Sequence, residues 1–261
     1  MARRRPSGNE KGKSMIRLEN IEFEKSIIDE HYHIAVPVQI TVFADGRKEL
    51  LVYSFCEKLA EEFENTFTDL LSEEALTWLA DRLAPIMEEL EYDSSSMMMH
   101  SHREYRLTPA QLSALAPAAK EAELLTVLTD ADRETEAELE LDAFEMDGSN
   151  PDDAMTVIRE NGQIVCFAAV NDIIENDTTG GLDWIELNVE CGEAWRRKGY
   201  GAACVTALTR YYLEKGKGVK YLCDEENIPS IHTAERVGYS LYSQVVPMVY
   251  YTRDTDEEDE D

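Results

Sequence analysis

The stretch Asp183–Cys204, DWIELNVECGEAWRRKGYGAAC, constrains the fold more than any other part of the chain. Ile185, Leu187, Val189 and Cys191 alternate with Glu186, Asn188 and Glu190, so a strand here has one apolar face and one face bearing two carboxylates and an amide. A central strand covered on both sides reads as apolar throughout; the polar face therefore looks into a cleft. Three consecutive cations follow, Arg196, Arg197 and Lys198, and then Gly199, Tyr200, Gly201 and Ala202 open a helix. Unpaired amides at a helix start carry partial positive charge and cradle phosphate oxygens, and the two glycines allow tight turning and close backbone approach. A dinucleotide fingerprint would want a third glycine and a P-loop would want Gly-Lys-Ser/Thr; neither is present.

The rest of the chain reads as a mixed α/β (α+β) arrangement. Residues 1–14 are basic and without periodicity, and residues 254–261 are almost purely acidic, so both read as disordered ends. His33 to Phe55 reads as a hairpin turning at Ala44-Asp45-Gly46-Arg47. Two helical patterns follow, from Cys56 to Leu70 and from Leu76 to Leu90, with Pro85 as a kink, which makes residues 15–98 a small α+β module. Asp93 to His102 breaks every period and reads as a linker. Thr108-Pro-Ala-Gln111 restarts a helix with a cap, a first-turn proline and a capping-box glutamine. From there the expected order is helix 109–128, helix 131–145, strand 154–160, an Asn161-Gly162 turn, strand 163–172, strand 183–191, helix 198–215, strand 219–223, helix 228–237, and strands to Tyr251. The second domain spans 102–253.

The apolar runs are too short to cross a bilayer, which takes about 20 residues. Five scattered cysteines without a Cys-x-x-Cys pair suit a reducing compartment, and the expected location is the cytoplasm. The net charge is −29; residues 253–261, with seven acids and one arginine, account for −6 of it and leave −23 on the body. Such a field repels nucleic acid and anionic membranes and favours an amine as ligand. His31-x-His33 and His100-x-His102 lack a third partner, so no metal site is expected.

Arg196-x-x-Gly199-x-Gly201 resembles the signature of the GNAT N-acetyltransferases, Arg/Gln-x-x-Gly-x-Gly/Ala. A second GNAT signature, Asn-x-x-Ala/Ser-x-x-x-Tyr-x-x-x-Gly-Phe/Tyr, is matched by Asn227, Ser230, Gly238 and Tyr239, with Ala234 in the tyrosine place. The phrase Cys223 to Ser230 resembles a bacterial GNAT subgroup that includes antibiotic self-resistance enzymes. The resemblance implies a GNAT fold whose central mixed sheet is splayed open to admit acetyl-CoA. It further implies that the backbone of Val189 and Cys191 pairs with the pantetheine arm and that the amides of Arg197 to Ala202, through Lys198, Gly199, Tyr200 and Gly201, hold the pyrophosphate. Asn227 and Ser230 would lie beside the cofactor.

Acetyl transfer to an amine needs a base, and Glu186 or Glu190 is the candidate, with Asn188 orienting the amine. The acid that usually protonates the departing thiolate is missing at Ala234; Tyr239, Tyr242 and His232 are its nearby substitutes. The expected function is acetyl-CoA-dependent N-acetylation of a small or basic amine, with residues 15–98 adding substrate contacts or homodimer contacts. The alternative is a non-catalytic acyl-CoA-binding or interaction module on the same fold.

Overall fold

The computed structural model describes residues 13–18, 34–134, 139, 141, 144–150, 152–174 and 181–252. His31 and His33 lie outside them, as do most of both termini. The chain divides into two compact units, residues 1–102 with 243–261, and residues 103–242.

In the first unit β2 (Ile34–Phe43) and β3 (Lys48–Tyr53) form the expected hairpin. Gly46 takes φ 85°, the left-handed conformation that the turn needs and glycine adopts without steric penalty. β1 (Lys13–Leu18) runs parallel to β3, and β11 (Ser240–Thr252) pairs antiparallel with β2 from Ser243 onward. α1 (Glu57–Thr66) and α2 (Glu73–Glu89) bury Ala60, Phe63, Leu79, Leu83 and Met87 against Val38, Ile40, Leu50 and Val52. α2 begins at the Ser72 cap and continues through Pro85 as one helix. The expected linker is not one: Tyr92–Met99 is strand β4, paired with β11, and His102–Leu107 is strand β5. Pairing with β11 supplies the order that this stretch does not signal by hydrophobic period.

The second unit is a sheet in the order β5-β10-β9-β8-β7-β6, from β6 (Glu123–Leu125), β7 (Met155–Glu160), β8 (Gln163–Ile174), β9 (Trp184–Cys191) and β10 (Gly218–Asp224). β9 and β10 are parallel, and the β6-β7-β8-β9 run is antiparallel. The β7–β8 turn uses Asn161 and Gly162, both with positive φ. On one face α4 (Tyr200–Glu214) packs Ala203, Cys204, Leu208 and Tyr212 on Val165, Cys166, Ala168 and Ile185. Burying each large apolar side chain there contributes about 1.5–3 kcal/mol. The opposite face of β7 and β8 is covered by Leu128, Leu139, Leu141 and Met146. α5 (Ile228–Val237) follows β10 as the pattern predicts.

One expected helix is replaced: the 109–128 pattern yields a 3-10 turn at Pro109–Ala114 and then β6. Of the 131–145 pattern, the described residues hold α3 (Asp130–Glu134), and 135–138, 140, 142 and 143 lie outside them. The Thr108–Gln111 box does form, but Leu115 turns into the core with extended backbone and Pro117 follows, which stops propagation. Among the described residues no helix is long and apolar enough to cross a membrane.

Candidate functional site

The register between β9 and β10 runs over four pairs, from Trp184↔Gly218 to Leu187↔Tyr221, and stops there. β9 continues to Cys191 and β10 to Asp224, while β8 pairs with β9 along its whole length. The sheet therefore parts between two neighbouring parallel strands. Asn188 to Cys191 and Leu222 to Asp224 flank the opening.

At the open end of β9 the chain turns through a short 3-10 segment, Glu193–Trp195, into α4. Arg197 and Gly199 both have positive φ, 62° and 81°, and Gly199 is the N-cap residue of α4. No side chain caps this helix and its first turn contains no acid, so its leading amides keep their partial positive charge. Gly201 has no left-handed requirement, and a Cβ there would meet only Val189 Cγ2 at 3.5 Å and Cys191 Sγ at 3.8 Å, ordinary contacts. The protein's own packing thus leaves room above Gly201, beside the free edge of β9. Arg196, Arg197 and Lys198 are exposed around it, and Arg196 Nε donates to the Cys191 carbonyl at 3.0 Å.

Two further cations stand at this helix start, and sequence spacing did not single them out. The Arg236 guanidinium, from the last turn of α5, lies 3.9 Å from where a Gly199 Cβ would be. Lys120 donates to Glu160 and, at 3.3 Å, to the Tyr200 hydroxyl, with its ammonium 4.3 Å from the Tyr200 ring centroid. The hydrogen bonds from Lys120 and Tyr200 hold the Glu160 carboxyl below its usual range, and those to Glu160 and Tyr200 raise the Lys120 ammonium. Neither partner's chain position relates it to the basic turn, so only the folded register could reveal them.

The alternation expected of β9 is present: Ile185 and Leu187 are buried and Val189 and Cys191 pack partly on the same core, whereas Asn188 is exposed and Glu186 and Glu190 are half-buried. Glu186 Oε1 accepts from Asn171 Nδ2 at 2.9 Å, and its pairing with Lys220 puts an ammonium-bearing side chain on the same face. Asn227 caps α5, its Oδ1 accepting from the Ser230 amide at 3.2 Å.

The substitutes for the missing acid do not all reach the opening. Ala234 is fully buried. Tyr239 is buried with its hydroxyl 2.7 Å from that of Thr209, and burial drives its pKa well above the ordinary tyrosine value. Tyr242 stacks on the Arg106 guanidinium at 3.6 Å, and His232 is exposed on α5. A different tyrosine, Tyr221, sits at the last β9–β10 pair; burial pushes it up to about 12 against a hydrogen bond with Ser230. Its position at the end of the ladder was not legible from sequence.

The cysteines also differ from the free-thiol expectation. Cys166 and Cys191 face each other across β8 and β9 and form a disulfide. Cys56, Cys204 and Cys223 are buried free thiols, raised by burial to about 12, 12 and 11. The rings of His100 and His102 lie 6.4 Å apart, and among the described residues no group of three or more His, Cys, Asp or Glu could hold a metal. Met97 packs on the first unit's core, while Met98 and Met99 are exposed.

Residues 121–239 match the model of the acetyltransferase (GNAT) family. No curated protein matches the chain. Solved structures similar to it include a GCN5-related N-acetyltransferase from Sphaerobacter thermophilus, 15% identical over 84% of this chain and 78% of that one, with a TM-score of 0.45. A GCN5-related N-acetyltransferase-like protein from Streptococcus suis 89/1591 is 19% identical over 63% of this chain and 67% of its own, with a TM-score of 0.42. A GCN5-related N-acetyltransferase from Kribbella flavida is 20% identical over 64% of this chain and 63% of its own, with a TM-score of 0.41.

Proposed function

We propose, for a chain that carries a GNAT-family acetyltransferase domain over residues 121–239, that this domain transfers an acetyl group from acetyl-CoA to a primary amine. The observation that carries the reading is the parting of β9 from β10 beside an uncapped helix start. The β9 edge beyond its last β10 pair adjoins the leading amides of α4, which suits a ligand with an extended amide-bearing arm and a diphosphate. In this reading Val189 and Cys191 pair through their backbone with the arm, and the amides from Arg197 to Ala202 hold the diphosphate, with Arg196 and Lys198 neutralising it. Asn227 and Ser230 flank the cofactor from α5.

Acetyl-CoA would supply an activated thioester; with its diphosphate at the start of α4, its sulfur end would point toward the last β9–β10 pair, which favours Glu186 over Glu190 as the base. Glu186 takes the proton of the attacking amine while Asn188, exposed on the same face, orients it. Asn171 holds the Glu186 carboxylate in place. The Tyr221 hydroxyl, protonated at neutral pH, donates to the departing sulfur in place of the residue absent at Ala234. An acidic protein suits a cationic acceptor. The cytoplasm remains the proposed location on the acetyl-CoA reading, against which the Cys166–Cys191 disulfide speaks, since a reducing compartment keeps thiols free.

Buried Ala234 favours one other reading, a non-catalytic acyl-CoA-binding module. Thermal unfolding with and without acetyl-CoA, on the parent and on Gly201→Asp, tests the cofactor: saturation at 100 times the dissociation constant adds about 2.7 kcal/mol. Stabilisation of the parent and not of the variant supports the site, and none in the parent refutes it. Thiol release with an amine panel then separates enzyme from binding module.

A further inference from the structure

A cavity of about 180 Å3 lies in the second unit, level with the end of the β9–β10 ladder. Ala169 and Val170 of β8 line it, and these residues pair with Asn188 and Leu187 of β9. Cross-strand partners share a face, with Cβ atoms about 4.5–5.5 Å apart. The Ala169 side of the cavity is therefore one strand away from Asn188, on the sheet face that carries Glu186 and Glu190. Phe144 and Met146 provide an aromatic and a thioether wall, and Ala154 adds a further apolar surface.

The two charged residues lining it, Glu145 and Asp153, are both acidic. Glu145 is exposed; Asp153 is half-buried, with Oδ1 accepting from Asn150 Nδ2 at 2.9 Å. An apolar cavity of about 150 Å3 takes a single benzene ring. The space here, open on one side, matches one ring or one short branched chain. Carboxylates on the wall attract an ammonium and repel a carboxylate carried by the acceptor.

We propose that this cavity seats the acceptor: a primary amine bearing a single small apolar group and no carboxylate, its nitrogen directed toward Asn188 and Glu186. The inference rests on the acetyl-transfer reading and names the substrate class for that site. It selects arylalkylamine-like compounds over amino acids and over polycations.

The test is kcat/KM, by thiol release with acetyl-CoA, for 2-phenylethylamine, phenylalanine, ethylamine and spermidine. The parent is expected to prefer 2-phenylethylamine by about tenfold or more, equivalent to about 1.4 kcal/mol. Ala169→Leu fills the cavity and should bring 2-phenylethylamine down to the level of ethylamine, abolishing that preference. Glu145→Lys, at an exposed position that does not threaten folding, should bring phenylalanine closer to 2-phenylethylamine by about tenfold. Equal use of all four amines, or a preference that neither substitution moves, overturns the assignment. Calorimetric binding of 2-phenylethylamine to the parent and to Ala169→Leu, without acetyl-CoA, keeps the two readings apart. Cofactor stabilisation without ring binding sinks the cavity assignment alone, and ring binding without cofactor stabilisation sinks the acetyl-transfer reading and with it the acceptor role, leaving an amine-binding cavity.

Discussion

The Tyr239 hydroxyl lies 2.7 Å from the Thr209 hydroxyl, both side chains buried, so the tyrosine that follows Gly238 in the second motif ties α5's exit to α4. Its hydroxyl is spent on packing a polar pair inside the core and is not available to a reacting group. Tyr239→Phe should therefore cost about 1–3 kcal/mol of stability, because it leaves a buried hydroxyl on Thr209 without its partner. Turnover per folded molecule should be unchanged; a kcat loss beyond about tenfold would show that Tyr239 acts in the chemistry.

Tyr221→Phe is expected to do the reverse. Removing a donor to a developing charge costs about 10²–10³ in kcat in comparable sites, whereas the lost Ser230 bond costs about 1 kcal/mol. Parallel measurement of kcat and of the melting temperature separates the two effects.

Glu186→Gln keeps the shape and the Asn171 contact but removes the proposed base. A fall of about 10²–10⁴ in kcat/KM, with acetyl-CoA stabilisation intact, is the expected outcome. Glu190→Gln should fall by less than about tenfold. If the two variants exchange these behaviours, the base sits nearer the diphosphate than the end of the ladder.

Reduction of Cys166–Cys191 should lower stability by about 2–4 kcal/mol, the usual effect of opening a loop of 25 residues' separation. Thiol titration of the unfolded, unreduced protein should count three free cysteines, rising to five after reduction. Five before reduction would show that the bridge is not formed.

Asp132 sets an acid limb. Burial opposes its ionisation, but hydrogen bonds from Thr129 and Arg159 outweigh this and hold the pKa at about 2. The folded value is below the unfolded value of about 3.9, so the stabilisation is complete above about pH 4 and is lost as pH falls through 2. Asp132→Asn should cost about 1–2 kcal/mol at pH 7, and the gap from the parent should close below pH 3. Denaturant titrations at pH 7, 4 and 2.5 measure it.

What was legible in the sequence was what a local period or a left-handed glycine dictates. The β9 alternation, the Gly199 turn, α4 and α5 and the β2–β3 hairpin follow from side-chain spacing within each segment. The stretch from 109 to 145 did not, because helical spacing at Leu112 and Leu115 was outweighed by burial of Leu115 in an extended conformation and by Pro117. The Cys166–Cys191 pair, Arg236 beside Gly199, Lys120 on Tyr200 and Tyr221 at the end of the ladder each depend on inter-strand register or on elements far apart in the chain. A cavity lined by Phe144 to Met146 is further still from any periodic signal, since that segment is irregular.

The four-pair ladder between β9 and β10 has a consequence for solubility. Sheet proteins normally keep unpaired edges at the periphery and blunt them, because an open row of amides and carbonyls recruits other chains. Here the open row lies in the middle of a sheet, where a foreign strand would have to enter between β9 and β10 instead of adding to a border. A guest would have to enter this gap in single file between two strands, so the gap does not offer the lateral template for strand addition that a border does.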